Sequence, residues 1–191
     1  MQNKIKALLA LLFIFMGTAF ADEGAKPVEP KKGRILVVGR LEYAKPIDIA
    51  AREEGFKSKG KALQIGKVPD FWFQPDFKEK IMDSITQSLD GYFYAELKPS
   101  KNGTVYLNDF SVGIFGKTNW YYQFKLPGGV LINVPDDAVY LYVGTFEYDL
   151  DYALRTVGFR HIDDYDRAKK DLCRELGKNV DLYRGELKFT E

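Results

Sequence analysis

The residues able to carry chemistry are few, and most of the familiar constellations fail on spacing. His161 is the only histidine and Cys173 the only cysteine. One imidazole rules out a His-rich zinc site, and no His-Glu-x-x-His run occurs. A Ser-His-Asp triad would have to be built on His161. None of Ser84, Ser88, Ser100 and Ser111 sits in the Gly-x-Ser-x-Gly elbow that presents a nucleophile. Cys173 and His161 are separated by most of an expected helix, about 15 Å of rise between Asp163 and Cys173, which keeps them apart. His161 reads as a loop histidine near the start of that helix. Gly113-Ile114-Phe115-Gly116-Lys117-Thr118 ends like a phosphate-binding loop, but the first glycine of that pattern would stand where the chain has Ser111. The loop should also open a helix, whereas Asn119 to Leu126 alternates like a strand; a hairpin turn fits better.

Carboxylates leave more room. Asp149, Asp151, Asp163, Asp164 and Asp166 cluster in sequence, and calcium favours such clusters. The central Gly and closing Glu of the twelve-residue calcium loop are missing, so a solvated turn and a capped helix start are the plainer account. Glu42, Asp48, Glu96, Asp109 and Glu147 are open as acid–base partners, which would have to lie roughly 5–9 Å apart across a cleft. No spacing pairs any two of them. No catalytic residue, metal ligand or cofactor is assigned.

Aromatic residues carry a different chemistry. Trp72 lies between Phe71 and Phe73, and Trp120 precedes Tyr121 and Tyr122. Where Trp120 faces the core with Phe124, Tyr121 faces the other side. Rings placed beside Asn or Asp stack on sugars or fill a protein interface; ordinary packing between sheets is the alternative. Trp72, Trp120, Tyr121 and Tyr92 are the candidate contacts for a ligand or partner.

The 191 residues carry 28 Lys and Arg against 27 Asp and Glu, a net charge of +1. That balance, without a basic block, argues against nucleic acid and against attachment to an anionic membrane surface. Apolar residues at 46% exclude wholesale disorder, and aromatics at 15% favour strands.

The N-terminus has the parts of an export signal. Lys4 and Lys6 are its positive region, Ala7 to Met16 its apolar run, and Ala19-Phe20-Ala21 its cleavage site. Cleavage would leave a chain starting at Asp22, with net charge about −1. The apolar run is too short to span a bilayer, which needs roughly 20 residues. No transmembrane span is expected after cleavage, and no cysteine near the site would take a lipid. The signal resembles a bacterial one, so the expected location is the periplasm or the medium. A lone Cys173 forms no internal disulfide; it could pair with a partner, but burial or simple inertness is expected.

Domain organisation follows: signal peptide 1–21, a flexible leader 22–33, and a single domain 34–191. Ile35 to Val38 is a first strand. Ile47 to Ala51 and Ala62 to Ile65 are strand candidates. Phe71 to Phe73, between Pro69 and Pro75, allow at most a short edge strand or a packed loop. Phe77, Ile81, Ile85 and Leu89 recur every four residues, and both a helix and an anchored loop fit 77–89. Phe93, Ala95 and Leu97 then alternate, and Pro99 to Gly103 is a turn. Val105 and Leu107 continue on a return strand, with Val112 and Ile114 as another short piece. Trp120, Tyr122, Phe124 and Leu126 form the cleanest alternating strand. Pro127-Gly128-Gly129 is expected to turn the chain before Val130, Ile132 and Val134 alternate again, and Pro135-Asp136-Asp137 is a further turn.

Val139, Leu141, Val143 and Thr145 oppose Tyr140, Tyr142 and Phe146. With both faces apolar, that strand belongs in the middle, and Gly144 marks a bulge or a close neighbour. A helix over about 163–177 is capped by Asp163, striped by Tyr165, Ala168, Leu172 and Leu176, and ended by Gly177. Val180 to Leu187 allows a last edge strand. Seven or eight closely joined strands point to antiparallel pairing in a mainly β sandwich with one C-terminal helix.

Three segments carry a resemblance. They are Asp90-Gly91-Tyr92-Phe93-Tyr94-Ala95-Glu96-Leu97 with Tyr106-Leu107-Asn108-Asp109-Phe110 after it, Val130 to Val134, and Val139-Tyr140-Leu141-Tyr142-Val143-Gly144-Thr145-Phe146. Together they resemble a family of bacterial exported proteins and lipoproteins with a transthyretin-like β-sandwich, the fold also seen as an accessory domain of carboxypeptidases. The resemblance covers roughly 34–160. It implies a transthyretin-like sandwich without catalysis and transfers no catalytic residue. The chain departs from many such proteins in lacking the lipid-bearing Cys and in its long helix.

These readings point first to a non-catalytic periplasmic module that binds or helps assemble a cell-envelope protein. A glycan- or small-ligand-binding protein is the second reading and an envelope hydrolase the third.

Overall fold

The computed structural model describes residues 26–45, 70–79, 91–115, 120–151 and 153–190, without the side chains of 70–72, 114–115 and 120–123. In chain order the elements are β1 (Ile35–Tyr43), β2 (Asp70–Phe77), β3 (Gly91–Leu97), β4 (Thr104–Phe115), β5 (Trp120–Asn133), β6 (Tyr140–Leu150), β7 (Thr156–Ile162), α1 (Tyr165–Leu176), β8 (Leu182–Arg184) and β9 (Glu186–Phe189). The expected sandwich is present. One sheet runs β3-β1-β6-β7, with β8 also paired to β6; the other runs β2-β4-β5-β9. The strand candidates at 47–51 and 62–65, and residues 80–90 of the ambiguous stripe, lie outside the described residues. Phe77 of that stripe ends β2 and is buried.

Pairing is mostly antiparallel but not wholly so. β1 runs parallel to β6, from Leu36↔Tyr140 to Tyr43↔Tyr148, and β8 runs parallel to β6. Short connections force antiparallel pairing only between strands consecutive in the chain, as in β4–β5. β1 meets a strand far along the chain, so the connection leaves its direction free.

The core explains the aromatic content. Phe73, Phe77, Phe93, Phe110, Phe146 and Tyr148 are buried between the sheets with Val37, Leu41, Leu126 and Ile132. Phe93 and Phe110 meet edge-on at 5.5 Å, and Phe110 and Phe146 at 5.2 Å, the geometry that ring quadrupoles prefer.

Two glycine positions correct the sequence reading. Pro127-Gly128-Gly129 does not turn the chain. β5 runs straight through, with Leu107↔Val130 and Asp109↔Pro127 on either side, so Gly128 and Gly129 oppose the single Asn108. This is a bulge with Gly129 at φ 62. The same register makes β4 one strand of 12 residues rather than two pieces. In β6, Gly144 at φ 88 adds a residue opposite β1, between Val38↔Tyr142 and Arg40↔Thr145. The alternation therefore changes phase there. Tyr140 and Tyr142 face the helix, while Phe146 joins Leu141 and Val143 in the central core instead of following the tyrosines. The bulge and the central position expected of β6 are both present, but both faces are covered only over its first part, where α1 lies over Tyr140 and Tyr142; Glu147 and Asp149 line an open cleft.

β2 is an edge strand, as expected, but longer. It spans 8 residues and includes Pro75, whose missing N–H an edge tolerates. Helix α1 starts after Asp164 rather than Asp163, and the Asp163 carboxylate accepts from the Tyr165 N–H at 3.1 Å. Its stripe packs on the outer face of the first sheet, with Ala168 and Leu172 buried against Leu36, Val38, Tyr94, Tyr140 and Tyr142. Gly177 ends it in the left-handed conformation, with Lys178 N–H donating to the Cys173 carbonyl. The single last strand expected at 180–187 is two, β8 on one sheet and β9 on the other, joined at Gly185.

Candidate binding surface

The sandwich ends on one flank at β7 and β9, each the last strand of its sheet. β7 is a strand that the sequence reading does not contain, and His161, expected in a loop, lies in it. Every β7 side chain is exposed or half-buried, although the strand is paired along β6. Phe159 pairs with Tyr148 and His161 with Phe146, so both face inward like those core residues. The opposite sheet has only the short β9 at this flank. Val157, Phe159 and Phe189 are 63%, 41% and 46% exposed. Phe189 lies 5.8 Å from Phe159 and 5.5 Å from His161 between ring centroids, and Phe159 lies 5.2 Å from Tyr148. The patch is thus the open end of the central aromatic core.

His161 is held rather than poised. Its Nε2 lies 2.9 Å from the Val143 carbonyl, and its ring sits directly over Gly144. That proximity, together with the bulge, accounts for a glycine in the middle of a core strand. No serine or cysteine approaches it in the hydrogen bonds of the described residues.

The edges differ in how they are protected. β2 carries Pro75 and Asp76. β8 and β9 have 3 and 4 residues, and β9 holds Glu186 and Lys188. β3 is fastened at Glu96, whose carboxylate accepts from the Lys31 N–H at 3.0 Å and whose carbonyl accepts from Arg34 at 2.9 Å. β7 has 7 residues. Its one formal charge, Arg160, is engaged with Glu147 at 2.6 Å, and its one irregularity is a bulge at Val157, between Asp149↔Gly158 and Leu150↔Thr156. Among the described residues no strand pairs with its outer side. An edge with exposed apolar side chains and little charge is a template for another strand.

On the outer face beside β7, a cleft of about 320 Å³ is lined by Ala44, Glu147, Asp149, Gly158, Phe159 and Arg160. Two other clefts, of about 330 and 370 Å³, lie beside the leader, around Gly33 and Asp136 and around Glu29 and Lys178. Lys178 pairs with Glu29 there.

Trp72, Trp120 and Tyr121 stand in β2 and β5, with Trp72 paired to Gly113 and Trp120 to Phe115. Their side chains lie outside the described part, so the candidate stacking surface does too. Tyr92 is elsewhere, on β3 beneath the helix. Its ring stacks on Tyr94 at 6.2 Å and lies under the Arg40 guanidinium at 5.6 Å. Burial first and the Asp171 carboxylate second push its phenol up to about 12. Tyr94, Tyr142 and Tyr148 are raised as well, each chiefly by burial. Tyr92, Tyr94 and Tyr142 form a packing layer under the helix, and Tyr148 belongs to the central core. Gly116 to Thr118, of the phosphate-loop candidate, fall outside the description, but the strands on either side pair antiparallel, as in a hairpin.

The acidic turns are engaged by cations and amides. Asp149 pairs with Lys45 at 2.9 Å, and Asp163 with Arg184 at 3.3 Å. Asp151 accepts from Arg155 N–H at 2.9 Å and Ala153 N–H at 2.8 Å, and these bonds with the Arg155 side chain hold its carboxyl below the usual range. Among the described residues no group of three His, Cys, Asp or Glu is arranged to hold a metal ion. Cys173 is half-buried, with its Sγ 3.6 Å from Asn179 Oδ1. No described helix is long and apolar enough to cross a membrane.

No family model, no curated protein and no solved structure matches the chain. What stands is a β-sandwich of two sheets with one helix, with no metal-holding cluster among the described residues, a fold consistent with a binding module.

The flank carried a weak sequence signal. In Thr156-Val157-Gly158-Phe159-Arg160-His161-Ile162, Val157 and Phe159 alternate with Thr156, Gly158 and Arg160, and β-branched residues stand at both ends.

Proposed function

We propose that this is an exported, non-catalytic binding module of the cell envelope, and that it takes a protein partner at the β7 edge. One observation carries the reading: β7 is a long edge with an apolar, exposed flank and almost none of the devices that keep the other edges unpaired. Strand addition supplies main-chain hydrogen bonds, and Phe159 and Phe189 supply apolar area for specificity. Export rests on the tripartite N-terminus, with cleavage after Ala21 and the working chain in the periplasm. A transthyretin-like relationship rests on the three segments quoted above and on the two-sheet architecture.

The test is photo-crosslinking in the cell. A photoreactive residue replacing Val157 or Phe159 is expected to give one dominant adduct, and the same residue at exposed Val139 none. Equal labelling from all three positions, or no adduct, would end the reading. Sequencing the N-terminus of the periplasmic chain checks export; a start other than Asp22 would refute the assigned cleavage.

A further inference from the structure

We propose that the partner at β7 is a second copy of this chain, paired antiparallel along β7 about a two-fold axis at Phe159. This rests on the reading of β7 as a binding edge and names its occupant.

The argument is one of register and charge. With Phe159 facing its own symmetry mate, Gly158 of each copy meets Arg160 of the other. The cleft of about 320 Å³ on the outer face opens above Gly158, with Asp149, Glu147 and the copy's own Arg160 among its walls; Glu147 holds Arg160 and Asp149 holds Lys45. The cleft exists because residue 158 has no side chain: a Cβ there would already lie 3.3 Å from the Asp149 Cβ. In this register the second copy's Arg160 arrives over that glycine. Its side chain is 70% exposed on the edge. From its Cα to β6 is two strand spacings, about 10 Å, a distance that an arginine and an aspartate side chain span together. Each guanidinium then leaves its own Glu147 for the other copy's cleft and joins Lys45 beside Asp149, twice over by symmetry.

Neighbouring registers do worse. An axis at Arg160 sets two guanidinium groups directly opposite, which is unfavourable. An axis at Gly158 puts Arg160 across from Thr156 and leaves the cleft empty. On the inner face the Phe159 register stacks the two Phe159 rings next to Phe189, covering apolar surface that one copy leaves open. The Val157 bulge limits regular pairing to the residues that follow it, and the central trio 158–160 lies in that regular part.

The purified chain is tested with Cys173→Ser and Phe159→Cys combined. Directly opposed residues of an antiparallel pair have Cβ atoms about 4.5–5.5 Å apart, and disulfides form near the short end of that range. Mild oxidation is expected to convert most of the chain to a covalent dimer. Val139→Cys in the same background is expected to stay monomeric. By sedimentation the unmodified chain is expected to be a dimer, and Val157→Lys and Arg160→Gln are expected to shift it to monomer with unchanged circular dichroism. A monomeric chain at all concentrations, or a dimer that does not crosslink through residue 159, overturns the proposal. The two readings separate in the cell. A Phe159 adduct with a different protein overturns the second copy and keeps the binding edge; no adduct overturns both.

Discussion

Gly144→Ala is the substitution that most directly probes how β6 and β7 are fitted together. A Cβ at residue 144 would lie 2.0 Å from His161 Nε2 and 2.6 Å from its Cε1, far inside contact distance. Three costs follow. Holding alanine at φ 88 costs about 1–2 kcal/mol. Displacing the imidazole forfeits its bond to the Val143 carbonyl, about 1 kcal/mol. Residual overpacking against Phe146 adds about 1 kcal/mol or more. The variant should therefore lose about 3–5 kcal/mol, a large part of the roughly 5–15 kcal/mol that a domain has. Urea unfolding measures it, with His161→Ala and the double variant completing a cycle. His161→Ala alone should cost about 1–1.5 kcal/mol, since it removes one bond and a half-exposed ring contact. The double variant keeps the backbone strain but has no ring to collide with, so it should be more stable than Gly144→Ala by about 1 kcal/mol or more. Strict additivity, or a Gly144→Ala cost below about 1 kcal/mol, would refute the placement of the ring over the glycine.

Further outcomes follow from the packing. Leu172→Ala removes the fully buried centre of the helix stripe and should cost about 2–5 kcal/mol in the same assay; a loss under 1 kcal/mol would mean the helix is not docked. Tyr148→Phe leaves the Pro127 carbonyl at the β5 bulge without its donor and should cost about 1–3 kcal/mol, read as a lower urea midpoint at unchanged slope. The raised tyrosines make an alkaline prediction. The unfolded chain ionises them near 10 and the folded chain later, Tyr92 at about 12. Above 10 the unfolded state therefore holds fewer protons, and stability, full below pH 10, falls as pH rises towards 12. Tyrosinate absorbance should rise together with loss of the fold, and Tyr92→Phe should make the decline shallower; a midpoint independent of pH from 10 to 12 would contradict this.

Local chemistry made some of this legible and some not. The stripe Tyr165, Ala168, Leu172, Leu176 and the stop at Gly177 are properties of one segment, and the helix is where they put it. The same holds for the alternation in β3 and β5 and for the two-faced β6. Pro127-Gly128-Gly129 misled because a turn and a bulge use the same glycine conformations; only the register against β4 tells them apart. Phe146 misled because one extra residue at Gly144 reverses every later face. The parallel β1–β6 pair depends on a long connection, which no short window contains. In the sequence the conspicuous rings are those at Trp72, Trp120, Tyr121 and Tyr92, which stand in clusters of neighbouring aromatics. Phe159 and Phe189 became neighbours only through β7 and β9 ending their separate sheets side by side.

The order of strands explains why the free edge lies at β7 rather than elsewhere. β1 occupies the position between β3 and β6, so β6 has one side left to share. β8 takes its first part, Tyr140 to Tyr142, and β7 the rest, Thr145 to Leu150. The phase change at Gly144 falls between the two, so β8 borders the stretch of β6 covered by α1, while β7 borders the stretch whose outer face is Glu147 and Asp149. β7 therefore extends a sheet whose outer side has no helix over it at that point, and whose inner side outruns the short β9. A strand left bare on both faces gains little from burial. Its order comes from pairing with β6 and from the Arg160–Glu147 and His161–Val143 contacts. Covering that strand with another would remove apolar area from water on its inner face and satisfy its outer amides, while its pairing with β6 and the His161–Val143 contact stay in place.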